Sequence, residues 1–221
     1  MKKMKTLEKI RLLLYPPKCL NCGEAIPSGC LCDDCLEKIK PNEMSIKLDG
    51  DNTMRVVSCQ SYTDGFRDSV QAFKFSGAYR MSDDFAELMR LNLEEWEIKA
   101  DIITFVPMTK SRERKRGYNQ AQRVAESLST KTNIPCEKLL KKNRNNLVQH
   151  SLNAEERKKN VVGVYDFSSE NYIKDRTIIL VDDIITTGAT ISECAKVLYE
   201  SGAKEVFGIC AAYSVSDGTL D

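Results

Sequence analysis

The stretch IILVDDIITTGAT, residues 178–190, decides the fold that the sequence predicts. Its aliphatic run is typical of a strand covered on both faces of a parallel sheet, and two adjacent carboxylates, Asp182 and Asp183, end that run. The following ITTGAT is a short loop that opens the next helix. Because ligands of open parallel sheets bind beyond the carboxyl ends of the strands, this stretch predicts a binding site there.

The loop after the strand has the chemistry of a phosphate site. Thr186, Thr187 and Thr190 offer hydroxyls, Gly188 lets the backbone approach closely, and a helix N-terminus presents unpaired N–H groups. The acidic pair would repel phosphate, so we expect it to bind the vicinal hydroxyls of a ribose and to hold Mg²⁺ through water or sugar oxygens. The pattern therefore predicts a 5-phosphorylated ribose. A buried strand with an ordinary capped helix is the alternative, and it explains only part of the set.

Strands and helices alternate along the larger part of the chain. The stretches 54–62, 101–108, 177–183 and 205–213 have the apolar character of strands, and residues 65–77, 81–97, 118–132 and 189–203 have helical apolar spacing. This order predicts an α/β fold with a mostly parallel sheet flanked by helices. The polar stretch KPNEMSIKLDGDN, residues 40–52, is predicted to be a linker. We expect an N-terminal module at residues 1–45 and the larger domain at residues 46–221.

Five of the nine cysteines lie in CLNCGEAIPSGCLCDDC, residues 19–35. Two C-x2-C pairs at this separation are typical of the four ligands of structural, tetrahedral Zn²⁺. Cys30 could replace Cys32, but Cys32 preserves the pair spacing. Free or redox-active thiols are the alternative. The sequence thus predicts a small zinc-ribbon-like module with the ligands Cys19, Cys22, Cys32 and Cys35, whose folding depends on the metal.

Charge and hydropathy bound the location and the partners. The net charge is +1, so no global field draws the chain to nucleic acid or membrane. No apolar stretch is long enough to span a bilayer, so we expect no membrane insertion. The chain begins with a basic segment whose apolar residues fit an amphipathic helix at residues 7–14 rather than a secretory signal. We expect a cytoplasmic location.

The stretch IILVDDIITTGAT resembles the thirteen-residue phosphoribosyl-pyrophosphate signature of type I phosphoribosyltransferases. The resemblance implies that Asp182 and Asp183 contact the ribose hydroxyls, as the catalytic pair. It also implies that a loop at residues 186–190, called the phosphate loop below, holds the 5-phosphate. The members of this loop are Thr186, Thr187, Gly188, Ala189 and Thr190.

Two further segments are similar to the ComF family of competence proteins, also called amidophosphoribosyltransferase-like. They are VPMTKSRERKRGYNQAQRVA and NNLVQHSLNAEERKKNVVGVYDF. The cysteine module, preceded by LLLYPPKC, matches the family layout as well. The motif residues are Arg116, Gly117, Tyr118, Asn119 and Gln120 in the first segment, and Gln149, Leu152, Arg157 and Asn160 in the second.

Given the signature, the basic segment near residue 110 is interpreted as a pyrophosphate site. A diphosphate needs cations and backbone donors, and the turn of Pro107, Met108, Thr109 and Lys110 follows a strand beside the site. The segment SRERKRGYN, residues 111–119, is predicted to be a flexible loop that closes over the pyrophosphate. The lid residues are Arg112, Arg114 and Arg116. A solvated charged turn is the alternative. For the basic residues at 141, 142, 144 and 157–159, a solvent face and a polyanion patch stay open.

Three functions from different classes remain. The first is an enzyme that transfers the phosphoribosyl group from phosphoribosyl pyrophosphate to a nitrogen nucleophile. The second, implied by the competence-family resemblance, is a module that binds single-stranded DNA or competence proteins such as a helicase. The third is a sensor that binds phosphoribosyl pyrophosphate without turnover. His150, the single histidine, is assigned no catalytic role.

Overall fold

A computed structural model of the chain describes residues 16–27, 30–38, 41–48, 53–61, 64–75, 81–143, 161–169 and 172–213. The predicted helix at residues 7–14, the motif at residues 149–160 and the basic positions 144 and 157–159 lie outside these ranges. In the described part of the chain, no helix has both the length and the apolar content needed to cross a membrane.

The order of the elements follows the alternation that the sequence predicts. The strands are β1 (Asn42–Lys47), β2 (Thr53–Ser61), β3 (Ile102–Phe105), β4 (Leu140–Lys142), β5 (Tyr165–Phe167), β6 (Thr177–Ile185) and β7 (Glu205–Tyr213). The helices are α1 (Asp33–Lys38), α2 (Asp64–Phe75), α3 (Met81–Glu95), α4 (Lys110–Arg116), α5 (Gln120–Thr132) and α6 (Ala189–Glu200).

Five strands form the main sheet, in the order β1-β2-β7-β6-β3. The pairs β2–β7, β7–β6 and β6–β3 are parallel, and β1 joins β2 in the antiparallel direction. In β6, Val181 pairs with Phe105 of β3 on one side and with Ile209 of β7 on the other. The predicted, mostly parallel α/β sheet is confirmed. Strands β4 and β5 form a separate antiparallel ribbon.

The sheet has a buried cluster on each face, as the alternation of side chains along a strand requires. Ile179 and Val181 of β6 belong to one cluster, which includes residues of α2, α3, α5 and the cysteine module. Ile178 and Leu180 belong to the other, which includes residues of α6 and the β4–β5 ribbon. The arrangement is therefore three layers, with β6 covered on both faces.

The predicted linker at residues 40–52 is wrong for its central part, which forms β1. Met44 and Ile46 are half-buried and alternate with the exposed side chains of Glu43, Ser45 and Lys47. This period of two is the pattern of a strand with one covered face. With only two apolar residues among polar ones, the stretch is too short for its alternation to indicate a strand. The predicted division at residues 45 and 46 falls inside β1 and stays a prediction.

The predicted flexible loop at residues 111–119 is also wrong, because most of it is helix α4. Its sequence KSRERKR holds no breaker, and Arg, Lys and Glu are good helix formers. The helix buries none of its residues. It ends at Gly117, which has a φ of 87° and whose N–H donates to the Glu113 carbonyl at 2.7 Å. The left-handed φ is the reason for a glycine here.

Candidate functional site

A cavity of about 450 Å³ opens at the carboxyl ends of β3 and β6. Its walls come from the end of β6 and the phosphate loop, from the turn after β3 with α4, from the start of α5, from α2 and from the β4–β5 ribbon. The lining residues are Arg67, Gln71, Val106, Pro107, Met108, Arg112, Arg116, Asn119, Gln120, Ala121, Lys142, Tyr165, Asp182, Asp183, Ile184, Ile185, Thr186, Thr187, Gly188, Ala189, Thr190 and Ile191.

The acidic pair lines the cavity from the last residues of β6, which runs two residues beyond the predicted strand. Asp182 Oδ1 accepts a hydrogen bond from the Asp183 N–H at 2.8 Å, and Asp183 Oδ1 accepts one from the Ile184 N–H at 2.8 Å. Asp182 is only 9% exposed, while Asp183 is half-buried. The local backbone thus orients two adjacent carboxylates at one wall of the cavity.

All five residues of the phosphate loop line the same cavity. Gly188 has a φ of 71° and stands at the N-cap of α6, a conformation that residues with a Cβ rarely adopt. The Ala189 N–H donates to Thr187 Oγ1 at 3.5 Å, and the helix begins at Ala189. The first turn of α6 therefore directs its N–H groups and its positive dipole end to the region of the acidic pair.

The structure divides the residues predicted to hold pyrophosphate. Pro107, Met108, Arg112 and Arg116 line the cavity, whereas Thr109, Lys110 and Arg114 are not among its lining residues. Thr109 is buried at the N-cap of α4, and its carbonyl accepts the Glu113 N–H at 2.9 Å. Lys110 and Arg114 are exposed. Helix α4 therefore presents two arginines to the cavity, one turn apart.

The motif at residues 116–120 holds the junction between α4 and α5. Tyr118 donates its hydroxyl hydrogen to the Phe73 carbonyl of α2. Asn119 Nδ2 donates to the Val106 carbonyl at 3.0 Å, and Asn119 Oδ1 accepts the Gln122 N–H at 3.4 Å as the cap of α5. These bonds tie α4 to the turn after β3 and to α2, which keeps its arginines at the cavity.

Two pairs of polar residues in the cavity wall come from elements that the sequence did not assign to the site. Arg67 and Gln71 come from α2, and Lys142 and Tyr165 come from the β4–β5 ribbon. For Lys142 the sequence allows either a solvent face or a polyanion patch. Its Nζ donates to the Tyr165 hydroxyl at 3.0 Å, and burial lowers the pKa of Lys142 to about 8. Arg67 and Gln71 lie one helical turn apart, and this spacing is the sequence signal that places them on the same face of α2.

The cysteine module brings together the four sulfurs predicted as metal ligands. The Sγ atoms of Cys19, Cys22, Cys32 and Cys35 all lie within 4.8 Å of one another, and Cys30 is not in this group. Cys22 Sγ and Cys32 Sγ are 3.7 Å apart. Four thiolates at the usual Zn–S distance stand about 3.8 Å apart in a tetrahedron. The cluster is therefore compatible with zinc.

Backbone donors favour the ionised form of one ligand. Burial opposes ionisation of Cys19, but N–H groups of Cys22, Cys32 and Asn21 outweigh it and lower the pKa of Cys19 to about 6. The Asn21 side chain also donates to Cys35 Sγ at 3.4 Å. Burial and the nearby carboxylates of Asp84 and Glu87 raise the pKa of Cys30 to about 11. For Cys35 the hydrogen bond from Asn21 is outweighed by burial and the neighbouring thiols, so its pKa is raised as well. Cys30 is therefore set apart from the ligands by its position outside the four-sulfur cluster and not by its pKa.

The fold is that of the phosphoribosyltransferase family. Residues 99–221 match the family described as phosphoribosyl transferase domain, and the chain belongs to this family. Competence protein F of Haemophilus influenzae is 31% identical over 144 residues, which are 62% of this chain and 63% of that protein, so the match spans less than two thirds of that relative. DNA utilization protein YhgH of Salmonella typhi is 30% identical over 85% of this chain and 80% of that protein. Competence protein ComFC of Streptococcus pneumoniae is 27% identical over 86% of this chain and 96% of that protein. The ComF-family resemblance is confirmed.

Solved structures are similar to the chain at lower sequence identity. A crystal structure of adenine phosphoribosyltransferase is 13% identical with a TM-score of 0.41, over 81% of this chain and 89% of that one. Phosphoribosylpyrophosphate synthetase from Mycobacterium smegmatis is 22% identical with a TM-score of 0.40, over 60% of this chain and 34% of that one.

Proposed function

We propose that the chain binds phosphoribosyl pyrophosphate with Mg²⁺ in this cavity and transfers the phosphoribosyl group to an acceptor. One observation carries the proposal: the acidic pair, the phosphate loop and the two arginines of α4 line a single cavity. A ribose, a 5-phosphate and a pyrophosphate need these three kinds of groups. The arginines belong to a segment about 70 residues before the stretch that holds the other two.

Each part of the ligand has a partner of suitable chemistry. The N–H groups of the phosphate loop and the start of α6 bind the 5-phosphate. Asp182 and Asp183 accept hydrogen bonds from the ribose hydroxyls. Arg112 and Arg116, which reach the cavity from α4, bind the pyrophosphate through charge-assisted hydrogen bonds.

The acidic pair fits a second task in the reaction. Carboxylate oxygens are the ligands that Mg²⁺ takes, and the ion would neutralise charge on the pyrophosphate. As the bond from the anomeric carbon to pyrophosphate oxygen breaks, positive charge develops on that carbon. Asp182, which is buried, stabilises this charge electrostatically before a nitrogen of the acceptor forms the new bond. The acceptor nitrogen then loses its proton to water.

For the N-terminal module we propose a structural Zn²⁺ bound by Cys19, Cys22, Cys32 and Cys35. The four sulfurs already converge, and four thiolates leave no open position for a reacting group. The metal therefore contributes folding free energy rather than chemistry.

The names of the relatives support a second proposal, a link to DNA uptake. Relatives are named competence protein and DNA utilization protein, and α4 exposes Arg114 beside the cavity. Single-stranded DNA and competence proteins such as a helicase are the partners that we propose, with a cytoplasmic location. Replacing Arg112, Arg114 and Arg116 by Gln should flatten the salt dependence of single-strand binding. An intact chain that binds no single strand at low salt would remove this proposal.

The deciding experiment is calorimetric titration of phosphoribosyl pyrophosphate into the purified chain, with and without Mg²⁺. We expect saturable, Mg²⁺-dependent binding, lost in the double variant Asp182→Asn/Asp183→Asn. Glu200→Gln is the matched control, because this exposed carboxylate lies at the far end of α6. Binding without release of pyrophosphate in the presence of candidate acceptors would favour the sensor. Absence of binding and of thermal stabilisation would contradict the proposed function.

A further inference from the structure

We propose that Lys142, positioned by Tyr165, is the cation that binds the 5-phosphate, so that the β4–β5 ribbon selects sugar phosphates over pyrophosphate. This inference rests on one part of the proposed function, namely that the phosphate loop binds the 5-phosphate.

The ribbon separates its two adjacent lysines onto opposite faces. Lys142 and Tyr165 are register partners in the β4–β5 pair, and both line the cavity. Lys142 Nζ donates to the Tyr165 hydroxyl at 3.0 Å and lies 5.0 Å from the centroid of the Tyr165 ring. Lys141 instead pairs with Asp166, is exposed, and lies 3.8 Å from its carboxylate. One lysine of the pair thus belongs to the cavity and the other to the surface.

Tyr165 connects Lys142 to the phosphate loop. Tyr165 has a side-chain hydrogen bond with Thr190, which partly offsets the rise that burial causes in its pKa. Thr190 lies in the first turn of α6. Lys142 therefore lies at the end of the cavity where α6 begins, and the Tyr165 hydroxyl connects it to the phosphate loop.

The phosphate loop has no cation of its own. Residues 186–190 carry no basic side chain, and a helix N-terminus supplies about half an elementary charge. A phosphate monoester carries close to two negative charges at pH 7. Among the described residues that line the cavity, the cations are Arg67, Arg112, Arg116 and Lys142. Lys142 is the one that a hydrogen-bonded tyrosine joins to the loop.

The burial and the neighbouring charges of Lys142 favour an anionic partner. Burial is the main cause of its lowered pKa, and Arg112 of α4 adds to it, while Cys194 of α6 and Asp182 of β6 act in the opposite direction. An ammonium group that has lost much of its water gains most from a charged acceptor. A phosphate at the loop would be such an acceptor, and Tyr165 keeps the group aimed at it.

Three variants separate this role from a general one. We expect Lys142→Gln to weaken binding of ribose 5-phosphate and of phosphoribosyl pyrophosphate by about tenfold to a hundredfold, the range of a charge-assisted hydrogen bond. Pyrophosphate binding should be unchanged. Tyr165→Phe keeps the ring but loses the hydroxyl, so it should weaken the same two ligands by about threefold to tenfold. Lys141→Gln, on the same strand, should change none of the three.

The outcomes distinguish this inference from the proposed function. If Lys142→Gln weakens pyrophosphate binding and spares ribose 5-phosphate, or spares both, the inference is overturned while the proposed function stands. If the unmodified chain binds ribose 5-phosphate through Lys142 but does not bind phosphoribosyl pyrophosphate, the proposed function fails and the inference stands. A chain that binds neither ligand overturns both. Should Lys142→Gln not fold, Tyr165→Phe decides by the same selective loss.

Discussion

Ile46 of β1 lies directly against Gly188 of the phosphate loop. A Cβ on Gly188 would stand 2.8 Å from Ile46 Cδ1, closer than side-chain atoms pack, and the φ of Gly188 is 71°. The loop therefore depends on a residue without a side chain and on an edge strand from the start of the chain.

The first prediction concerns this contact. Gly188→Ala should destabilise the chain by about 1–2 kcal/mol through the left-handed backbone, with a further cost from the contact with Ile46. It should also weaken ribose 5-phosphate binding by about tenfold or more, because the N–H groups shift. Denaturant unfolding and calorimetry measure the two effects. Adding Ile46→Ala relieves the contact but not the φ, so the double variant should recover only part of the lost binding. Wild-type values for Gly188→Ala would contradict this account.

Asp183→Asn tests the acidic pair. Pyrophosphate release should fall by about a hundredfold or more, since a charge beside the reacting carbon is lost. The fold should be retained, because the amide oxygen can still accept the Ile184 N–H that Asp183 Oδ1 accepts. Release is measured by a coupled phosphate assay, and circular dichroism checks the fold. Unchanged release in a folded variant would show that the site is misplaced.

Arg112 and Arg114 form a matched pair on α4, because both are exposed but only Arg112 lines the cavity. Arg112→Gln should weaken pyrophosphate binding by about tenfold, and Arg114→Gln should leave it within about twofold. Calorimetric titration with Mg²⁺ pyrophosphate compares the two. Equal losses would indicate a diffuse charge effect instead of a contact.

The cysteine module should hold about one zinc ion per chain. Cys22→Ser should lose it with little packing cost, because Cys22 is exposed, and the unfolding temperature should drop. Cys30→Ala should keep the metal, since Cys30 lies outside the four-sulfur cluster. Metal analysis by mass spectrometry decides between them. A metal-free chain that is folded and binds its ligand would contradict the zinc assignment.

The pKa of Lys142 predicts a pH dependence of binding. Burial lowers this pKa to about 8, and a phosphate stabilises the charged lysine. Below pH 8 the lysine is already charged, so its titration should cause no change of the affinity for ribose 5-phosphate with pH. Above pH 8 binding must take up a proton, and affinity should fall by up to about tenfold per pH unit. Calorimetry in two buffers of different ionisation enthalpy measures the uptake. Lys142→Arg should abolish the fall, and a flat profile to pH 10 would contradict the prediction.

Local patterns predicted much of the architecture and of the site. The strand before Asp182, the loop at residues 186–190 and the two C-x2-C pairs each lie in one short stretch, so their geometry follows from spacing and strand direction. The sequence predicts Arg112, Arg114 and Arg116 on a loop at the pyrophosphate, whereas the structure has them on a helix and only Arg112 and Arg116 line the cavity. Good helix formers in a charged run have no apolar periodicity to indicate a helix.

What the sequence did not predict depends on pairings between distant segments. Lys142 and Tyr165 meet only because β4 and β5 pair, and the sequence does not say which of two adjacent lysines faces inward until the register is known. Arg67 enters the cavity wall from α2, whose position follows from tertiary contacts such as the bond from Tyr118 to the Phe73 carbonyl. Contacts of this kind leave no local pattern.

Cys19, Leu20 and Ile26 of the cysteine module belong to the same buried cluster as Val181, the residue before the acidic pair. The interior that supports β6 is thus partly built by a segment for which we propose metal-dependent folding. In a cell short of zinc, newly made chains would lack that support, and fewer of them could bind sugar phosphates. Trace-metal nutrition would in this way set how much of the protein is competent, with no change in its synthesis.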